Sequence, residues 1–191
     1  MPVDFVTEAK IPPKDKQLTK AELLYEQTLQ IAEMFDKKNL DYAIGGGYGL
    51  ELLARTLGIQ EIQARSHKDL DLYFTNRAGL RELVDAGYVL TRPWYAYIDQ
   101  DEAIARPDLT RLLAQFPYKK LTIDLFIGHK SSSETFNANM DGKRVKVRSP
   151  WETYSDKIDM VDEYLHDGHE PTDADVGDME LAERIFARLE P

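Results

Sequence analysis

Cysteine is absent from all 191 residues, which excludes disulfides, thiolate metal sites and a cysteine nucleophile. A reducing cytoplasm accommodates such a chain. No run of about 18 apolar residues occurs, and the first residues lack the basic-then-apolar pattern of a secretion signal. The sequence therefore reads as a soluble cytoplasmic protein. Internal repeats, low-complexity tracts, zinc-ligand spacing and a nucleophile elbow are also missing. Its length suits one domain, or one domain with a small helical appendage.

Excess positive charge is lacking too, and the negative charge is unevenly spread. Residues 1–150 carry 21 acidic and 21 basic side chains, whereas 151–191 carry 13 acidic and 3 basic, so the net charge of −10 lies in the last segment. Such a segment repels a nucleic-acid backbone and disfavours a long polynucleotide lying along it. A small acceptor, or a nucleic acid approached from the other side, stays compatible with the balanced remainder.

What is present centres on Tyr42-Ala-Ile-Gly-Gly-Gly-Tyr-Gly, followed by Arg65-Ser-His-Lys-Asp-Leu-Asp-Leu-Tyr-Phe74. Glycines 45–47 let the backbone turn sharply and approach a ligand. A helix starting at Leu50 would aim its first N–H groups at that turn and form an anion site; the alternative is a tight turn that binds nothing. Asp69 and Asp71, at i and i+2 of a strand, leave the same sheet face. Two such anions repel unless a cation lies between them, and hard oxygen ligands with open positions suit Mg²⁺ shared with phosphates. Asp124, in the apolar run Leu121-Thr-Ile-Asp-Leu-Phe-Ile127, adds a third strand carboxylate.

In that order these residues resemble the nucleotidyltransferase superfamily with the DNA polymerase β-like catalytic core, and most of all its small antibiotic-modifying and toxin-type branch. The matching positions are Gly46, Gly47 and Tyr48, then Arg65, His67, Asp69 and Asp71, then Asp124, within residues 40–160. Tyr48 stands where Trp is common, and the run Thr56–Ala64 is longer than usual. The resemblance implies an α+β fold, a mixed β-sheet flanked by helices with further helices at the C-terminus. It also implies transfer of a nucleoside monophosphate from an NTP such as ATP to an acceptor hydroxyl, releasing pyrophosphate. Asp69, Asp71 and Asp124 would then be the catalytic carboxylates holding two Mg²⁺ ions, Asp124 on the acceptor side and able to take the acceptor's proton. Gly46, Gly47, Tyr48, Arg65, His67 and Lys157 would contact nucleotide. For Arg65 and His67 a role in orienting the loop stands beside direct contact, and for Lys157 a structural pairing with neighbouring carboxylates stands beside reach to the triphosphate.

The remaining chain divides into an arm over 1–17, a core over 18–150 and an acidic helical segment over 151–191. Thr19 with Glu22 is a capping box opening a helix to Lys38, with Leu23, Leu24, Gln27, Thr28, Ile31 and Phe35 on one face. Asn76 to Gly87 reads as a capped short helix. Trp94, Tyr95 and Tyr97 read as strand and core by propensity, or as a wall stacking on an acceptor. Leu109 to Phe116 follows helical spacing. Gly128 to Ser133 is a loop, and Asp141-Gly142 marks a tight turn. Arg144, Lys146 and Arg148 share one strand face, exposed or forming a positive rim. Ser149 and Pro150 open a helix, and Pro171 to Asp175 opens another, with Val176, Met179, Leu181, Ile185 and Leu189 as its packing face.

Three rivals share these features. A toxin-type enzyme would modify tRNA or protein, an inactive module would bind nucleotide or a partner without turnover, and a phosphohydrolase would release nucleotide without transferring it.

Overall fold

The computed structural model describes residues 19–60, 67, 69–115, 121–128 and 135–190. The N-terminal arm, Arg65, Lys68 and most of the loop after Gly128 lie outside the described residues. Helix α1 spans Lys20–Lys37, with both bonds of the Thr19–Glu22 capping box formed. Its buried face carries Leu24, Gln27, Thr28, Ile31, Ala32 and Phe35. Asn39 then adopts φ 51°, turning the chain into β1 (Ala43–Ile44).

Helix α2 is Gly46–Thr56, β2 is Asp69–Phe74 and α3 is Ala78–Asp85. Strand β3 (Val89–Thr91) leads through a 3₁₀ turn at Pro93–Tyr95 to α4 (Gln100–Ala105). Strands β4 (Arg111–Gln115), β5 (Thr122–Ile127), β6 (Thr135–Met140) and β7 (Lys143–Arg148) follow, then α5 (Pro150–His166) and α6 (Asp173–Leu189). The strands form one mixed sheet in the order β3-β4-β5-β2-β1-β7-β6. Pairings β2–β5 and β1–β7 are parallel, and the others are antiparallel. The fold is thus α+β, as the sequence implies.

Period-two alternation separates the sheet's faces. Leu70, Leu72, Phe74, Leu90, Leu112, Ala114, Ile123, Leu125 and Ile127 are all buried with α1 side chains in the core. The opposite face carries Asp69, Asp71, Tyr73, Asp124, Phe126 and Arg111.

Four expectations are corrected here. Residues 111–115 form strand β4 rather than a helix, because Leu112 and Ala114 alternate into the core while Arg111, Leu113 and Gln115 do not. Trp94 and Tyr97 are 95 % and 82 % exposed, so the aromatic run is neither strand nor core. Helix α2 begins four residues before Leu50, at Gly46. On α6, Val176 is exposed, and the buried face is made by Asp175, Asp178, Leu181, Ala182 and Ile185.

Candidate active site

Strand register builds the site. Asp71 on β2 and Asp124 on β5 are direct partners in parallel strands, and Asp69 lies one pleat along β2, so all three carboxylates belong to one sheet face. The row continues from Asp124 to Leu113 on β4 and Thr91 on β3, which bridges to Tyr97. At about 4.8 Å per strand spacing, Tyr97 lies roughly 14 Å from Asp124 along this row.

Asp71 is the most strained charge. Burial, with Asp69 and then Asp124 adding repulsion, pushes its carboxyl up to about 7, and the charges of Lys157 and Arg111 only partly offset this. Gly46 has φ 60°, a conformation that disfavours a side chain, and a Cβ there would overlap Asp71 Oδ2. The first turn of α2 therefore abuts this carboxylate, and its dipole is favourable to negative charge. Gly45 N–H also donates to the Asp71 carbonyl at 2.9 Å.

Asp124 is held differently. Arg111 donates to both its oxygens, Nε at 3.1 Å from Oδ1 and Nη2 at 2.5 Å from Oδ2. The same guanidinium lies 5.3 Å from the Phe126 ring centroid. Phe126 stacks on Tyr73 at 4.4 Å, and the Arg148 guanidinium covers Tyr73, also at 4.4 Å. Two arginines thus bracket a stacked aromatic pair next to the carboxylates. Arg148 is buried and bonded by Glu152 and Asp156, so the sequence's positive rim is at this end a paired, packed cation. Lys146 pairs with Asp36 and lies over the Tyr42 ring.

The glycine turn carries a second acidic neighbour. A Cβ on Gly47 would come within 2.6 Å of Asp178 on α6. Lys157 on α5 reaches Asp175 Oδ1 at 2.8 Å and Asp178 Oδ2 at 3.1 Å. Burial lowers the Lys157 pKa, but these two carboxylates outweigh it and leave the lysine above its ordinary range. Lys157 is therefore both a partner of carboxylates and a charge felt at Asp71. Asp175, Asp178, Glu51 and Arg111 are the residues sequence reasoning missed. For the first two the sequence offered only a lone lysine on an acidic helix, without naming which acids meet it.

His67 turns toward α2, with Nε2 2.7 Å from Glu51 Oε2 and its ring edge-on to Tyr48 at 5.3 Å. Glu51 also accepts from Arg55. Burial raises the Glu51 pKa, yet His67 and Arg55 hold it below the ordinary carboxylate range. His67 is thus tied to α2 through Glu51 and Tyr48, while Arg65 lies outside the described residues.

Among the described residues, no group of three or more His, Asp or Glu side chains is gathered as a metal cage. Two carboxylates completed by substrate phosphates and water would still suit Mg²⁺, which is commonly bound in that way. The raised pKa of Asp71 fits a face that needs a cation.

The fold and the matched family together define a nucleotidyltransferase enzyme, of the antibiotic-modifying type. More narrowly, the chain belongs to the aminoglycoside-2″-adenylyltransferase family, whose family model matches residues 27–181. The solution structure of antibiotic-resistance factor ANT(2″)-Ia is similar at TM-score 0.57 and 16 % identity, covering 90 % of each chain. A crystal structure of ANT(2″)-Ia with adenylyl-2″-tobramycin gives the same score and identity over 86 % of this chain and 93 % of that one. An antigenic nucleotidyltransferase-like protein from Paracoccidioides brasiliensis is 17 % identical at TM-score 0.57, covering 86 % and 77 % of the two chains. No curated protein matches significantly by sequence.

Proposed function

We propose that the chain transfers a nucleoside monophosphate from a Mg²⁺-bound NTP, ATP first among candidates, to a hydroxyl of a small-molecule acceptor. The observation that carries this is the row of Asp69, Asp71 and Asp124 on one sheet face, with Gly46 and the first turn of α2 against Asp71. In the reaction the acceptor O–H gives up its proton, a bond forms from that oxygen to the α-phosphorus, and the bond to the β-phosphate bridge breaks, releasing pyrophosphate. Bound Mg²⁺ would neutralise the triphosphate and orient it in line.

Asp69 and Asp71 are the residues for that ion, and Asp124 is the acceptor-side carboxylate, placed to receive the proton. The α2 N-terminus favours phosphate oxygens, and Lys157 contributes positive charge near Asp71. Tyr48 and His67 act by fixing the α2 entry. The sheet row from Asp124 through Leu113 and Thr91 to Tyr97 would give an acceptor a floor, with the exposed aromatics at its far end. The acidic C-terminal segment suits a polycationic acceptor, such as the aminoglycoside in the family's name, and disfavours a polynucleotide.

The test is incubation with ATP, Mg²⁺ and tobramycin, following pyrophosphate and the acceptor's mass. Stoichiometric pyrophosphate and an acceptor heavier by one adenylyl group support the reading. Nucleotide hydrolysis without transfer would instead indicate a phosphohydrolase, and labelling of macromolecules in an extract a toxin-type enzyme. Binding of ATP without turnover of any acceptor would indicate a binding module.

A further inference from the structure

We propose that Arg111 serves as the acceptor-side cation of this site, so that the chain works with one divalent ion where a three-carboxylate arrangement would ordinarily hold two. The inference rests on the nucleotidyltransfer reading above and refines its metal count. Two-metal centres need carboxylate oxygens available to both ions. Here both oxygens of Asp124 accept from one planar guanidinium, at 3.1 and 2.5 Å. Bidentate charge-assisted pairs are among the stronger polar contacts in proteins.

The guanidinium is also fixed from below. Arg111 is the register partner of Phe126, two residues beyond Asp124 on the same face, and its charge lies over that ring. Phe126 is backed by Tyr73, and Tyr73 by Arg148, itself tied to Glu152 and Asp156. An ion entering at Asp124 would have to break two hydrogen bonds and a cation–π contact while giving up part of its own hydration, which Mg²⁺ does reluctantly. Arg111 also acts electrostatically on Asp71, so its charge serves the carboxylate pair as the second ion would. On the β2 side Asp69 is exposed and can meet the ion that accompanies the triphosphate.

Arg111 is thus a positioning residue for Asp124: its two hydrogen bonds orient that carboxylate on the acceptor side and keep it out of metal coordination. The side chain of Arg111 is 56 % exposed, so its replacement leaves the core intact.

The experiment counts Mn²⁺ ions by electron paramagnetic resonance and calorimetry in the presence of α,β-methylene-ATP, with no turnover involved. Wild type is expected to bind one Mn²⁺ per chain, and Arg111→Ala and Arg111→Gln to bind two, the second lost again when Asp124→Asn is added. Two ions on wild type would overturn the inference and leave nucleotidyl transfer standing. One ion on wild type and on both variants would also overturn it, because Asp124 would then take no metal even when released. No ion on wild type would overturn the metal-dependent reading itself.

Discussion

At the residue scale Asp71 carries a charge that burial and its neighbouring aspartates oppose, and its titration gives a signed prediction. A free aspartate titrates near about 3.9, whereas the folded chain holds Asp71 up to about 7. Between those values the folded state binds the proton more tightly than the unfolded state, so stability from this group is full at low pH and lost as pH rises through about 7. Asp71→Asn should therefore melt at an equal or higher temperature than wild type near pH 8 without metal, the gap closing toward pH 5. A variant that melts lower at pH 8 would mean that Asp71 makes structural hydrogen bonds instead. Gly46→Ala is the complementary case. Its side chain would meet the Asp71 carboxylate at a left-handed backbone position, so a loss of about 1–3 kcal/mol in denaturant unfolding is expected. The three aspartates and the glycine turn were legible in the sequence only as an ordered set, since each alone also suits a solvated strand face or a turn that binds nothing. The partners of Asp124 and Gly47 were not, since Arg111 and Asp178 meet them only through strand pairing and the return of α6.

At the element scale the misreadings share a physical origin. In β4 the run Leu112-Leu113-Ala114 hides the alternation, because Leu113 is an apolar residue on the open face and fills a helical period as well as a strand one. In α2 the glycines that signalled a turn are inside the helix: Gly46 bends the entry, and Gly49 donates to the Gly45 carbonyl at 3.0 Å in the first turn. The aromatic segment failed in the opposite direction. β-propensity favours packing of Trp and Tyr, but Pro93 and the left-handed backbone of Trp94 and Tyr95 lift the chain off the sheet edge. Because Trp94 is 95 % exposed, Trp94→Ala should change unfolding stability by no more than about 0.5 kcal/mol. If the aromatic turn receives the acceptor's far end, the same variant raises acceptor KM while nucleotide KM is unchanged. Equal effects on both constants would remove the turn from acceptor binding.

Over the whole molecule, the C-terminal helices complete the site. Trp151 on α5 stacks on Phe186 of α6 at 5.1 Å, and Phe136 on β6 contacts Trp151, so the acidic segment is anchored to the sheet by aromatics. Its charge excess was plain in the composition; that two of its acids turn inward to Lys157 was not, because a buried ion pair leaves no periodic apolar mark. Lys157→Met should remove the cation that buried Asp175 pairs with at 2.8 Å, a loss of roughly 3–5 kcal/mol by denaturant unfolding. A loss below about 1 kcal/mol, the range of an exposed pair, would show that this junction is solvated. The central claim, that the carboxylate face is a metal–nucleotide centre, is tested most directly by melting wild type and Asp71→Asn in EDTA and again with Mg²⁺ and α,β-methylene-ATP. Wild type should gain about 2.7 kcal/mol at a ligand concentration near 100 times Kd, and Asp71→Asn should gain nothing. Equal gains in both proteins would contradict the account, placing the nucleotide and its metal away from these aspartates.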